Sequence, residues 1–384
     1  MDPTACPFVT PAPALTLHQA IVPAILAQAL YLLYECPDER RYLDAADRYA
    51  VFSLAYPRDP VAPVEDRQRR LRLEQMLIAE PNTTPDPRLL NNVMSRSCMY
   101  GTALHPAYSG FRTHHPDDDA FDAAADAHFD WLQRHRTDRG HAYNVGYVPA
   151  DISDPAVTDA AYTDDLRLAG AGLVGYYRLT GCQEALDSAL HLADYYLRAH
   201  QTGKPDGAFV ESLGTWCIGP WPYTLSCEHI PLVRMDQSGW GWTARGAVEF
   251  LTLLHGCLPA NHPRAGLMRD RCIRSTKWQF SCQFPDGAIG MQTQDDKWLS
   301  MTAAALLAFA DIKQQGWIKE AAADGLAPRV ALARDWLLRS ATEELIDAGG
   351  YIKVTGRTTP IPREGLAWGL AWTLQALLRL DETY

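Results

Sequence analysis

Four segments of this 384-residue chain repeat one design: a leading acid, one or two turns of small residues and tryptophan, then an aliphatic stripe. Asp164 and Asp165 lead into the run 166–177. Asp236 leads into Trp240, Trp242 and the run 244–254. Asp295 and Asp296 lead into Trp298 and the run 299–307, and Glu364 leads into Trp368, Trp372 and the run 373–378. Counted from 164, 236, 296 and 364, the leading acids are 72, 60 and 68 residues apart. Self-similarity at this period is the signature of a repeat architecture, in which each unit buries its apolar surface against its neighbours.

Each of the first three segments is followed by a more charged helical segment and a glycine turn: Asp206-Gly207, Asp286-Gly287 and Gly349-Gly350. Such turns feed short strands. The segments behind the acids are apolar nearly all round, as helices buried on every side must be. Their partners carry the charge expected of an outer layer. Upstream, 15–34 and 37–52 read as a helical hairpin, with Pro37 in the first turn of its second member. Residues 65–80 and 117–136 read as helices, and 91–99 as a short helix before a His-, Tyr- and Gly-rich loop to 116. Counting these gives about six pairs. The predicted fold is all-α, an (α/α)6 toroid of helical hairpins with short β-hairpins in its connecting loops. The domain is 1–384, with 1–15 as a surface arm, and the last helix packs beside the first. Closure removes the need for polar capping repeats.

Bulk properties narrow the function. Apolar residues make up 47% and charged residues 21% of the chain, which excludes wholesale disorder. A net charge of −11 without a basic run offers no phosphate track, so no nucleic-acid partner is expected. The longest apolar stretch, 21–34, is too short for a membrane span. The N-terminus lacks the basic and apolar regions of a secretory signal. Nine cysteines without framework spacing read as free thiols in a reducing compartment. The expectation is a cytoplasmic protein with a small-molecule partner.

The layout resembles the six-hairpin glycosidase-like superfamily, which includes unsaturated glucuronyl hydrolases, other glycosidases, sugar epimerases and polysaccharide lyases. The run Asp236-Gln237-Ser238-Gly239-Trp240-Gly241 is similar to the Asp-x-Ser-small-x-small run that opens an inner helix in several members. The likeness extends as architecture over most of 160–384. A second resemblance runs through Gln283-Phe284-Pro285-Asp286-Gly287 and Gln201 to Phe209. These are similar to the Gln-x-x-Asp-Gly-x-aromatic turns of terpenoid cyclases and prenyltransferase β-subunits. Those proteins share the toroid, so fold alone does not choose the chemistry.

In such a ring the inner helices run the same way and their N-termini meet at one mouth. Asp164, Asp165, Asp236, Asp295, Asp296 and Glu364 would gather there, with Trp240, Trp242, Trp298, Trp368 and Trp372 on the walls. Paired carboxylates over aromatic faces suit glycoside hydrolysis, where one acid protonates the leaving oxygen and the other activates water or attacks. Asp236 with Asp164 or Asp165 is the expected acid/base pair, and Asp296 or Glu364 a third carboxylate. His229 and Arg245 join the tryptophans as substrate-binding candidates. Arg167, Arg245 and Arg363 are the cations available to an acidic sugar.

Each assignment has a plainer counterpart. Aspartate caps helices, and acids at helix starts are favoured by the dipole. Tryptophan at helical spacing is ordinarily core, and Trp240 and Trp242, two apart, cannot share one helical face. Glu211 and Glu228 are further candidates for the mouth. Cys217, Cys227 and His229 match no zinc spacing, so no metal or cofactor is expected. Asp118-Asp119-x-x-Asp122 is an incomplete terpene-synthase signature, and Thr293 to Asp296 lacks the first acid of the protonating motif. The leading expectation is a glycoside hydrolase, or a related lyase or epimerase, acting on a small saccharide. The alternatives are a natural-product cyclase in the same toroid and a non-catalytic helical scaffold.

Overall fold

In chain order the helices are α1 (Leu17–Glu35), α2 (Arg40–Ala55), α3 (Arg96–Thr102), α4 (Ser109–His114) and α5 (Asp122–Arg134). They continue as α6 (Thr163–Thr180), α7 (Gln183–Leu197), α8 (Gly241–His255), α9 (Ala265–Ser281), α10 (Leu299–Gln314), α11 (Leu326–Arg339) and α12 (Arg363–Asp381). The computed structural model describes residues 17–35, 39–55, 96–134, 163–202, 207–219, 224–227, 230–290, 297–317, 325–340 and 363–381. The expected surface arm at 1–15, the helix at 65–80 and the turn at 349–350 lie outside these residues.

Six of the helical segments close a ring. α1 packs on the α3–α4 segment, that on α6, then α8, α10 and α12 in turn, and α12 returns to α1. The Gln375 side chain donates to the Ile25 carbonyl at 3.0 Å across this closure. Among the described residues α2, α5, α7, α9 and α11 form the outer layer, each following its inner partner in the chain. The inner helices are parallel, because starts meet starts and ends meet ends. Trp242 near the start of α8 touches Trp298 at the start of α10. His255 at the end of α8 bonds Gln315 just past α10, and Arg379 at the end of α12 bonds Gln314. The chain is an (α/α)6 toroid.

The inner helices behave as their composition demands. Every residue of α10 from Leu299 to Ile312 is buried. The glycines allow backbone-to-backbone packing: a β-carbon at Gly101 would stand 2.2 Å from the Leu168 carbonyl oxygen, and one at Gly172 2.5 Å from that of Gly101. No side chain fits between α3 and α6 there.

Two expectations need correction. The predicted loop from 100 to 116 is part of the ring: α3 and α4 are joined by a π-type turn, Ala103–Tyr108, that contains Pro106. Low helix propensity at glycine, histidine and proline hid it. Burial of Leu104, Tyr108 and Phe111 overrides that propensity. Asp236 also stands upstream of the helix it was read as opening. Asp236 lies in a 3₁₀ turn, Met235–Gln237, and α8 begins at Gly241, while α10 begins at Leu299 after Trp298.

The β structure lies between the helix pairs. β1 (Phe209–Val210) pairs antiparallel with β2 (Thr215–Trp216), and β3 (Thr224–Cys227) with β4 (Ile230–Arg234). The first follows the predicted turn at 206–207; the second had no sequence signal. Bridges from Cys217 to Gly239 and from Ile289 to Trp298 tie the residues before α8 and α10 to the strand-like segments that follow α7 and α9.

Candidate active site

The residue in the N-cap position of α8 is Trp240, with extended backbone (φ −134, ψ 132), and that of α10 is Trp298, equally extended (φ −123, ψ 127). They are equivalent positions in consecutive repeats. Trp240 is not helical, so the periodicity rule that separated it from Trp242 does not apply: the two rings lie 5.2 Å apart. Trp242 in turn meets Trp298 edge-on at 6.4 Å. Three indoles thus form one cluster at the N-terminal ends of two inner helices. The indole nitrogens of Trp240 and Trp298 are buried and have no acceptor among the described residues. A buried donor left unmatched costs about 1–3 kcal/mol, a cost that an acceptor-bearing ligand or water would remove.

Asp236 lies just before this cluster, fully buried. Arg234 donates to both of its oxygens, from Nε at 2.7 Å and Nη2 at 3.1 Å, and the His200 Nε2 stands 3.7 Å away. His200 is held by the Gly207 carbonyl at Nδ1. Neither His200 nor Arg234 was singled out from sequence. His200 meets Asp236 only through the fold, although Arg234, two residues away, was a readable partner. Beside them the Cys217 thiol is pushed up to about 12, chiefly by burial, with the Asp236 charge adding to it. It is a neutral thiol at physiological pH. Among the described residues no three His, Cys, Asp or Glu side chains converge on a metal position. Glu228 and His229 lie outside the described residues.

Asp164 and Asp165 occupy the first turn of α6 and Glu364 that of α12. Their side chains, with those of Arg363 and Trp368, are outside the described set, as are Asp295 and Asp296 entirely. Trp372 is a buried residue of α12.

Arg245 is committed to the interior. Its Nη1 donates to Asp311 at 2.6 Å and its Nη2 lies 3.3 Å from Glu249, while Arg379 reaches the other Asp311 oxygen at 2.7 Å. Burial would raise the Glu249 carboxyl, but the arginines led by Arg245 outweigh it and hold it below the usual range. Arg167 is 1% exposed and crosses α8 at Gly246. Arg245 is thus engaged by carboxylates inside the ring.

Glu211 is half-exposed and pairs with Arg271 and Arg274 of the outer helix α9. The partial terpene-synthase motif is also spent on local structure. Asp118 accepts from the Ala120 amide at 3.0 Å, and Asp122 from the Tyr108 hydroxyl at 2.7 Å.

With this geometry in place, the likenesses to known proteins are specific. No family model matches the chain, and no curated protein matches it by sequence. Solved structures do match in three dimensions. A glycosyl hydrolase of family 88 from Bacteroides vulgatus shares 16% identity at a TM-score of 0.57, over 93% of this chain and 92% of that one. An unsaturated glucuronyl hydrolase from Bacillus sp. GL1 shares 16% at 0.57, over 93% and 85%. A polysaccharide lyase shares 14% at 0.58, over 95% and 91%. At such identities the likeness establishes the toroid. No described helix is long and apolar enough to cross a membrane.

Proposed function

We propose that this protein is a carbohydrate-active enzyme, a glycoside hydrolase or a closely related lyase or epimerase, acting on a small saccharide at the N-terminal mouth of the ring. The observation that carries the reading is the Trp240–Trp242–Trp298 cluster with its two unmatched indole donors. Indole faces stack on the C–H face of a pyranose, and N–H donors match its oxygens. Two helix N-termini beneath the cluster favour an acidic ring, since their dipoles attract negative charge. The acids of the proposal are Asp236, one of Asp164 and Asp165, and as further carboxylates Asp296 or Glu364. One would protonate the glycosidic oxygen while a second activates water or attacks. Trp368, Trp372 and His229 complete the proposed binding set. Arg245, occupied by Asp311 and Glu249, is left out of it.

The whole-chain likeness to glycoside hydrolases and a polysaccharide lyase supports this reading. Nothing favours the cyclase alternative, whose acid motif at 118–122 serves as a turn acceptor and a tyrosine acceptor. The cytoplasmic location proposed here rests on the nine cysteines, which follow no disulfide spacing.

The test is turnover of a 4,5-unsaturated glucuronyl disaccharide, a panel of nitrophenyl glycosides and a set of isoprenoid diphosphates. It compares wild type, Trp298→Ala, Asp236→Asn and Asp165→Asn. Release of reducing sugar by wild type, with a raised KM for Trp298→Ala and a loss of kcat for an acid variant, supports the proposal. A new ultraviolet-absorbing double bond from a saturated uronide would favour the lyase. Turnover of a diphosphate alone would sink both.

A further inference from the structure

The first turn of α6 is held by an unusual number of buried polar groups, all converging on Thr163. The Thr163 amide donates to the Ile218 carbonyl at 3.0 Å. Its hydroxyl exchanges a hydrogen bond with the Tyr195 hydroxyl at 2.8 Å and contacts the Cys217 thiol, and its carbonyl accepts from the Tyr196 hydroxyl. Thr163, Tyr195, Tyr196, Trp216, Cys217 and Ile218 are each 0% exposed. The Trp216 indole donates to the Tyr196 carbonyl at 2.8 Å, so the tyrosine pair is itself anchored.

The same segment reaches the other side of the proposed site. The Ile218 amide donates to the Ser238 carbonyl at 3.1 Å, and Cys217 bridges to Gly239. The chain can pass this closely only because residue 239 is glycine: a β-carbon there would stand 2.6 Å from both Thr215 and Trp278. The strand 215–218 is therefore one rigid link. Thr163, next to Asp164 and Asp165, hangs from one edge of it, and the Asp236–Trp240 turn from the other. Helix starts ordinarily leave their first amides to water or a cap. Here a helix start is referenced to a second candidate acid through two successive hydrogen bonds, Thr163 to Ile218 and Ile218 to Ser238.

We propose that Thr163, Tyr195 and Tyr196 form a positioning clasp that fixes Asp164 and Asp165 relative to Asp236. The idea rests on the carboxylate reading of the site. None of the three residues touches substrate in this proposal. Their effect is geometric, and a misplacement of about 1 Å in an acid pair costs roughly a hundredfold in rate.

The experiment compares Tyr196→Phe, Tyr195→Phe, Thr163→Val and the conservative Thr163→Ser with wild type. Two readings are taken: steady-state kinetics on the 4,5-unsaturated glucuronyl disaccharide, and amide hydrogen exchange resolved to the start of α6. The clasp predicts kcat down by roughly tenfold to a hundredfold with KM nearly unchanged in Tyr196→Phe and Thr163→Val, and recovery in Thr163→Ser. It also predicts faster exchange confined to the first turn of α6, with α10 unaffected. Wild-type kcat in both variants overturns it, as does exchange rising throughout the ring, which would mark a purely structural role. If wild type itself leaves the disaccharide intact, the glycosidase reading fails and the positioning role falls with it; with wild type active, an absence of any rise in exchange at the start of α6 overturns the clasp alone.

Discussion

The Arg167 side chain crosses α8 over Gly246, so closely that a β-carbon at 246 would stand 2.0 Å from its Cδ and 2.3 Å from its Nη1. Alanine would gain about 1 kcal/mol of helix propensity at an open glycine. Here overpacking costs about 1–3 kcal/mol, because Arg167, 1% exposed, can yield only by displacing the groups packed around it. Gly246→Ala should lower the urea midpoint, whereas Gly266→Ala, with nothing within 4 Å, should leave it unchanged or raise it.

Asp311 stands between Arg245 and Arg379, and its loss strands a buried guanidinium. Asp311→Asn should cost about 3–5 kcal/mol, as breaking one side of a buried pair does. The triple variant Arg245→Met, Glu249→Met and Asp311→Leu should lose less than Asp311→Asn alone, because Arg245 also pairs with Glu249 and the three charges must go together to leave no buried charge orphaned. Denaturation of the two variants side by side is the check; a triple variant weaker than the single would refute the argument.

Glu211 is held down to about 2 by its bonds to Arg271, with Arg274 second. A carboxyl depressed in the fold stabilises it above the unfolded value of 4.5, and that contribution disappears as pH falls from there through about 2. Half-exposure screens the pair, so Glu211→Gln should cost no more than about 1 kcal/mol at pH 7. The gap to wild type should close in strong acid and shrink in high salt, as read by chemical denaturation.

His105 is partly buried, and burial lowers its pKa against the weaker upward pull of Glu249. Its Nδ1 is 2.7 Å from the Ser109 hydroxyl. The unfolded chain binds the proton first, near 6.5, so stability rises with pH up to that value and is lost as pH falls below it. The slope just below 6.5 has an upper limit of about 1.4 kcal/mol per pH unit, that of one proton. A His105→Gln variant should show a flatter profile just below pH 6.5; an unchanged slope would assign the proton elsewhere.

The ring itself was readable because its cause is local and repeated. Segments apolar on every side must be enclosed on every side, and a period near 60–72 residues joins them in parallel. The glycine turn at 206–207 announced β1 and β2 for the same reason: the signal lies within a few residues. The segment around Pro106 escaped because its helicity comes from the neighbours that bury Leu104 and Phe111, not from its own propensities.

The candidate site divides the same way. The sequence determined which residue types recur ahead of the later inner helices: acids, with tryptophans following at 240, 298 and 368. Only the tertiary structure decided their duties. It gave Trp240 an extended backbone and so brought it against Trp242. It turned Arg245 inward to Asp311, and it placed His200 and Arg234 on Asp236. The contact of His200 with Asp236, like that of Arg245 with Asp311, joins residues from different helical hairpins. Such contacts are fixed by how the hairpins pack around the ring, which no pattern within one hairpin encodes.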